Sequence, residues 1–172
     1  VQRDSKKWNT ICENFCKKNE IKFIAHSLKP KKNISSNLEK NLRDERYRFF
    51  EKTLEKKSIL FMGHHLDDLI ETFFLRALRG SGIEGLSSIP KERAVGKGKL
   101  IRPFLNIPKS EILAKAKKDK LKFVKDPSNK DISFDRNYLR NKVLPEIDNR
   151  WPSYRKNLNQ LIENLKESSD LL

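Results

Sequence analysis

His64, His65, Asp67, Asp68 and Glu71 crowd into one short stretch of this chain. Asp67 and Glu71 stand one helical turn apart, and so do Asp68 and Glu71, so on a helix the three carboxylates converge. Carboxylates at that spacing can hold Mg²⁺ together with a nucleotide phosphate, or take the proton from an attacking amine. Singly, each acid could do no more than complement the dipole of a helix start. As a set, His-His-x-Asp-Asp-x-x-Glu points to a site.

The other candidates are mostly cationic. Arg43, Arg46 and Tyr47 fall at i, i+3 and i+4, a cationic and aromatic cluster that can clamp a phosphate or stack on a base. The same pattern also fits a solvated face laced with pairs such as Glu39 with Arg43. Arg79 precedes Gly80, Ser81 and Gly82, where backbone amides could approach a phosphate, a weak signal by itself. Arg102 ends an apolar run. Arg136 and Arg140 are one turn apart and could grip a carboxylate or two phosphates, although either alone also reads as a surface arginine.

The elements that must position these residues follow from periodicity. Residues 58–62 (SILFM) read as a buried strand. After it, Leu66, Leu69, Ile70, Phe73, Phe74 and Ala77 form an apolar helical stripe, with Asp67, Asp68 and Glu71 on the opposite face. The acids thus sit just past the carboxyl end of a strand, where open α/β sheets bind ligands. Residues 1–18 read as an amphipathic helix with Trp8, Ile11, Cys12 and Phe15 on one side. Residues 21–28 (IKFIAHSL) read as a strand, 29–36 as a basic loop, and 37–57 as a long helix. Gly80 reads as a helix C-cap. Residues 91–99 (KERAVGKGK) read as a mobile polar loop. Residues 99–104 (KLIRPF) read as a third strand of a parallel sheet, with Arg102 at its ligand end. Residues 108–120 read as a helix and 121–124 as a short extended piece. Asp126, Pro127, Ser128 and Asn129 make a turn by composition. Asp135 is the expected N-cap of a helix ending near Leu144 and Pro145. Pro152 is expected in the first position of the last helix, whose stripe is Tyr154, Leu158, Leu161, Ile162 and Leu165.

At 172 residues the chain fits one domain, or one domain with a small appendage. Its 38 Lys and Arg exceed 23 Asp and Glu, a net charge of +15 that favours a polyanionic partner such as nucleic acid, unless it reflects only a lysine-rich background. No apolar run approaches membrane-spanning length and no signal peptide is visible. Cys12 and Cys16, four apart on a helix, suit neither a disulfide nor a metal site and read as reduced thiols of a cytoplasmic protein.

Three stretches together give the chain a likeness. They are Asn37, Leu38, Glu39, Arg43, Arg46 and Tyr47; then His64 to Asp68 with Glu71, Thr72 and Arg79 to Gly82; then Arg102 and Pro103 followed by 126–129 and Asp135, Arg136, Asn137, Leu139 and Arg140. In order and spacing the chain resembles the tRNA(Ile)-lysidine synthetase family of N-type ATP pyrophosphatases, over about residues 10–147. The middle stretch is shared loosely with tRNA-thiolating relatives, whose paired catalytic cysteines Cys12 and Cys16 do not match. The third stretch is far more specific.

The resemblance implies an α/β fold, a Rossmann-like parallel sheet with flanking helices of the adenine nucleotide alpha hydrolase kind. It implies ATP-dependent adenylation of C2 of the wobble cytidine of tRNA(Ile), then attack by the ε-amine of L-lysine with loss of AMP. In that scheme Asp67, Asp68 and Glu71 bind Mg²⁺ and the amine or deprotonate it, with Asp67 and Asp68 the metal ligands. Gly63 and His64 border the nucleotide, and Arg43, Arg79 and Arg102 face phosphates. Arg46, Tyr47, Asp126, Asn129, Arg136, Asn137 and Arg140 belong to the lysine and tRNA surfaces. A homodimer is left open.

One departure stands out. The family's phosphate loop, Ser-Gly-Gly-x-Asp-Ser, has no counterpart here; the resemblance puts it on a strand ahead of Val1, with another strand after it. The expectation is therefore a catalytic domain at residues 1–147 lacking its first strands and inactive on its own, then a C-terminal helix or linker at 148–172. A fragment, a missing N-terminus or a relative that has lost ATP binding would each account for this. Two other classes stay open: a metal phosphoesterase using His64, His65, Asp67 and Asp68, and a non-catalytic RNA-binding module carried by the basic surface.

Overall fold

The computed structural model describes residues 5–27, 38–87, 89–124 and 126–171. The 29–36 loop, Leu28 and Asn37 lie outside them, and the side chains of Leu38 and Glu39 are likewise not described. The elements in order are α1 (Ser5–Lys18), α2 (Leu38–Thr53), β1 (Ile59–Phe61), α3 (Leu66–Ala77), α4 (Ile83–Leu86), β2 (Glu92–Val95), β3 (Gly98–Ile101), α5 (Lys109–Lys118), a 3₁₀ turn (Pro127–Lys130), α6 (Asp135–Tyr138), a π-helical turn (Leu139–Val143), α7 (Leu144–Arg150) and α8 (Tyr154–Leu171). This is an α/β fold in which helices outweigh a small sheet.

The sheet runs β1-β3-β2. β1 and β3 are parallel, with Leu60 opposite Leu100. β2 and β3 are antiparallel, with Val95 opposite Gly98. The sheet is therefore mixed, and residues expected to form a mobile loop form a hairpin instead. Gly96 takes φ +54 at the first of two turn residues, as a mirror-image hairpin turn needs there. A Cβ at Gly96 would lie 2.8 Å from the Glu51 carbonyl oxygen, and one at Gly98 would lie 2.6 Å from that of Ser58. The two glycines thus let the hairpin press against the end of α2 and the chain leading into β1.

Residues 21–27, expected as a strand, have no regular secondary structure. A strand exists only by pairing, and among the described residues these pair with none; His26 instead stacks on Phe49 of α2 at 4.3 Å. Residues 121–124 are likewise irregular. In α1 the stripe is not buried: Cys12 and Phe15 are exposed.

The core gathers Leu66, Leu69, Ile70 and Phe73 of α3 with Leu105, Leu144, Tyr154 and Ile162. Leu69, Ile70 and Ile162 are fully buried, each contributing about 1.5–3 kcal/mol of hydrophobic stabilisation. The α8 stripe docks on this core as its spacing requires, although Leu161 stays exposed. Pro152 precedes α8 rather than opening it, because the helix begins at Tyr154.

The helix expected to stop near Pro145 runs on to Arg150. The Leu144 amide donates to the Leu139 carbonyl, five residues back. Proline lacks the N–H an α-helix needs and its ring crowds the carbonyl four residues earlier. The wider π turn carries the chain past it. The N-cap of α6 is Phe134, with no side-chain cap; Asp135 is already helical.

Candidate active site

Parallel pairing brings the carboxyl ends of β1 and β3 to the same edge, so the segments following them meet. The Met62 amide donates to Ile101 O at 2.9 Å and the Leu66 amide to Ile107 O at 3.1 Å. His65 is the N-cap of α3. Its Nδ1 accepts from the Asp68 amide at 3.3 Å, and its own amide donates to Asp68 Oδ2 at 3.0 Å, a reciprocal capping box. His65, one of the candidate ligands, thus fixes where α3 begins.

Glu71, on the face of α3 away from the apolar stripe, is buried nonetheless. It is 0% exposed, because α6 and the π turn cover that side of α3. Arg140 meets it with two parallel bonds, Nε to Oε1 at 2.7 Å and Nη2 to Oε2 at 2.8 Å. Arg136 Nε lies 3.7 Å from Oε2, while its Nη2 donates to Thr72 Oγ1 at 3.1 Å. Arg140 also reaches Asn129 Oδ1 at 3.3 Å and stands 3.8 Å from Asp68 Oδ1. The bond to Glu71, against the opposing pull of burial, raises the pKa of Arg140 further. Burying two charges is costly unless they pair in good geometry, and this pair does.

Asp68, Glu71, Asn129, Arg136 and Arg140 therefore come together. Asn137 is buried and donates to the Ser128 and Asp131 carbonyls at 2.9 and 2.8 Å, so it holds the loop that presents Asn129. Asp126 caps that loop by accepting from the Ser128 amide at 2.9 Å. Asp67 turns to the opposite rim, where it accepts from the Lys109 amide at 2.8 Å and lies 3.4 Å from Arg155 Nε. Arg155 carried no signal in the sequence beyond its place beside Tyr154. Arg79 is exposed and bonds Asp135 at 3.3 Å. Gly63 is exposed, with nothing within 4 Å of where a Cβ would be.

A second group lies along α2 and the hairpin. Arg43 and Arg46 are exposed and Tyr47 is half-buried, its hydroxyl 3.9 Å from Met62 Sδ. Arg102 is 4% exposed; its Nη1 donates to Pro90 O at 2.6 Å and its Nε has no partner. His64 Nδ1 is also buried without one. Burial, then Arg102, lowers the pKa of His64, so the ring is neutral at pH 7. Burial also lowers that of Arg102, with Tyr47 opposing.

Among the described residues no group of three or more His, Cys, Asp or Glu could hold a metal ion. The four-ligand set of a metal phosphoesterase is not assembled, since His65 is spent on the cap. Asp67 Oδ2 and Asp68 Oδ2 do lie 3.8 and 3.4 Å from the same His65 Nδ1. Each carboxylate also accepts a backbone amide through that oxygen, Asp67 from Lys109 and Asp68 from His65, so Mg²⁺ at the pair would have to use the lone pairs that remain.

The PP-loop domain model matches residues 1–147. The chain belongs to the PP-loop domain family. This PP-loop chain is 44% identical over 153 residues to the tRNA(Ile)-lysidine synthase of Buchnera aphidicola subsp. Acyrthosiphon pisum, covering 89% of the chain and 34% of that protein. It is 39% identical over 171 residues to the tRNA(Ile)-lysidine synthase of Nitrosomonas europaea, covering 98% and 37%. Against that of Pseudomonas aeruginosa it is 35% identical over 165 residues, covering 96% and 37%. The chain thus spans little more than a third of the length of these curated relatives. No helix among the described residues of this PP-loop domain is long and apolar enough to cross a membrane.

Proposed function

We propose that this chain performs the chemistry of a tRNA(Ile)-lysidine synthase: ATP-dependent joining of L-lysine to C2 of the wobble cytidine of the CAU anticodon, in the cytoplasm. Residues 1–147 would form the catalytic domain on a Rossmann-like plan, and residues 148–172 a C-terminal helix or linker. The observation that carries the reading is the pairing of buried Glu71 with Arg140 beneath Asp68. It joins the acids of α3 to the arginines of α6 and the π turn, two of the three stretches on which the family likeness rests.

The reaction needs a neutral amine and a stabilised leaving group. Both oxygens of Glu71 are occupied by Arg140, and both of Asp67 have partners. Asp68 Oδ1 has Arg140 at 3.8 Å as its near neighbour and is the oxygen with room to take the proton of the lysine ε-amine. Glu71 and Arg140 fix that position. Arg136, Asn137 and Asn129 shape the lysine and anticodon side, with Asp126 holding the loop. Gly63 and neutral His64 border the nucleotide, and Arg43, Arg79 and Arg102 face phosphates. Arg46 and Tyr47 face the tRNA. Mg²⁺ bound at Asp67 and Asp68 would neutralise phosphate charge.

The test is lysidine formation by the full-length protein given tRNA(Ile), ATP and lysine. Replacing Asp67→Asn, Asp68→Asn and Glu71→Gln together should abolish the product. Undiminished synthesis by that variant would end the reading.

A further inference from the structure

Arg93 belongs to no motif and sits mid-strand on β2. Its guanidinium lies 4.6 Å from the Tyr47 ring centre, with Arg43 at 5.8 Å beside the same ring. Together with Asp44 and Glu51 these residues line a cavity of about 500 Å³ between α2 and the hairpin. Glu92, the neighbour of Arg93, is taken by Lys99 at 2.7 Å. Among the described residues neither Arg43, Arg93 nor Arg102 is ion-paired with a carboxylate. Arg102 stands behind Tyr47, almost wholly buried and with its Nε unpartnered. Unpaired cations gathered around one aromatic ring repel one another, and an anion between them would relieve that.

We infer that Arg93, Arg43 and Tyr47 bind one nucleotide of the RNA substrate, its phosphodiester between the two guanidiniums and its base edge toward Asp44 and Glu51. The inference rests on the proposed tRNA substrate. The cavity is far larger than a phosphate and matches the size of pockets that hold small organic groups. The two carboxylates oppose an ion of several negative charges such as pyrophosphate. A phosphodiester carries a single charge, and the attached base offers N–H donors that carboxylates accept. The hydroxyl of Tyr47 fits the same picture: burial pushes its pKa up, but Arg93, Arg102 and Arg43 together bring it below its ordinary value.

The test measures binding of a short RNA hairpin to the full-length protein and to Arg93→Ala and Arg93→Lys, across a salt series and without ATP or lysine. Arg93→Ala should weaken RNA binding about tenfold and make the slope of log affinity against log salt shallower by about one. Arg93→Lys should keep the slope and lose part of the affinity, because an ammonium keeps the charge and loses the planar fork. Inorganic pyrophosphate should bind all three equally. Unchanged RNA affinity and slope in Arg93→Ala would overturn the inference, as would a loss confined to pyrophosphate. Should Arg93→Ala not fold, unchanged RNA affinity in Arg93→Lys overturns it. Because no reaction occurs in this assay, its outcome is independent of whether lysidine is made.

Discussion

The two charged regions of this chain are built on opposite plans. Around α3 and the π turn, charge is neutralised inside the protein: Glu71 is fully buried and Arg140 answers both of its oxygens. Along α2 and the hairpin, guanidiniums collect around Tyr47 and, among the described residues, are left without carboxylate partners. The first arrangement is rigid before any ligand arrives, and its reward is position. The second stores repulsion that an anionic ligand relieves, and its reward is affinity. Substitutions in the first should therefore register in stability, and those in the second in binding.

The largest expected effect tests the first half of that contrast. Glu71→Ala strands Arg140 beside a buried hole and should cost about 3–5 kcal/mol in chemical denaturation. The double replacement Glu71→Leu with Arg140→Met should recover much of the loss, since an apolar pair leaves no charge behind. A Glu71→Ala protein as stable as wild type would show that the buried pair does not organise the site.

Next comes Gly98→Ala. The added methyl would press on the Ser58 carbonyl, and the hairpin should shift at a cost of about 1–3 kcal/mol. Because the hairpin carries Arg93, RNA affinity should fall with it, which sharpens the distinction between placing a cation and merely having one.

The smallest effect is a pH dependence. The folded chain protonates His64 less readily than the unfolded chain does. As pH falls below about 6.5, the unfolded state binds the extra proton first, so stability declines with falling pH. The decline from this group levels off below its depressed folded pKa. Melting curves of His64→Gln should lack that component, while above neutrality the two proteins should differ little.

Much of the first region was legible in the sequence. The 3.6-residue recurrence of Leu66, Leu69, Ile70 and Phe73 located α3 and its inner face, and the apolar run before it located β1 but not its burial, since Ile59 and Phe61 of this expected buried strand are exposed. Glu71 was placed on the face away from the apolar stripe, but helical period reports a helix and one neighbour. It cannot report that α6 and the π turn lie over the second face. The hairpin was missed for a different reason: Glu92 to Lys99 has the composition of a loop, with Val95 its one buried apolar residue and two glycines allowing close backbone approaches. Residues 21–27 have a strand's composition, but pairing is a property of neighbours. Arg93 had no motif to announce it, and neither alternation nor charge marks a residue whose partner is a ring on another element.

The π turn at Leu139–Val143 carries a last consequence. A π turn holds about one residue more than an α turn, so its presence is recorded in the length of the chain rather than in any letter. Removing one residue there would let the helix close into ordinary α geometry, and everything before the cut would rotate by about 100° against everything after it. Every side chain of the site would survive such a deletion, yet Arg140 and the core residue Leu144 could no longer both face α3. In that segment, counting is a form of specificity.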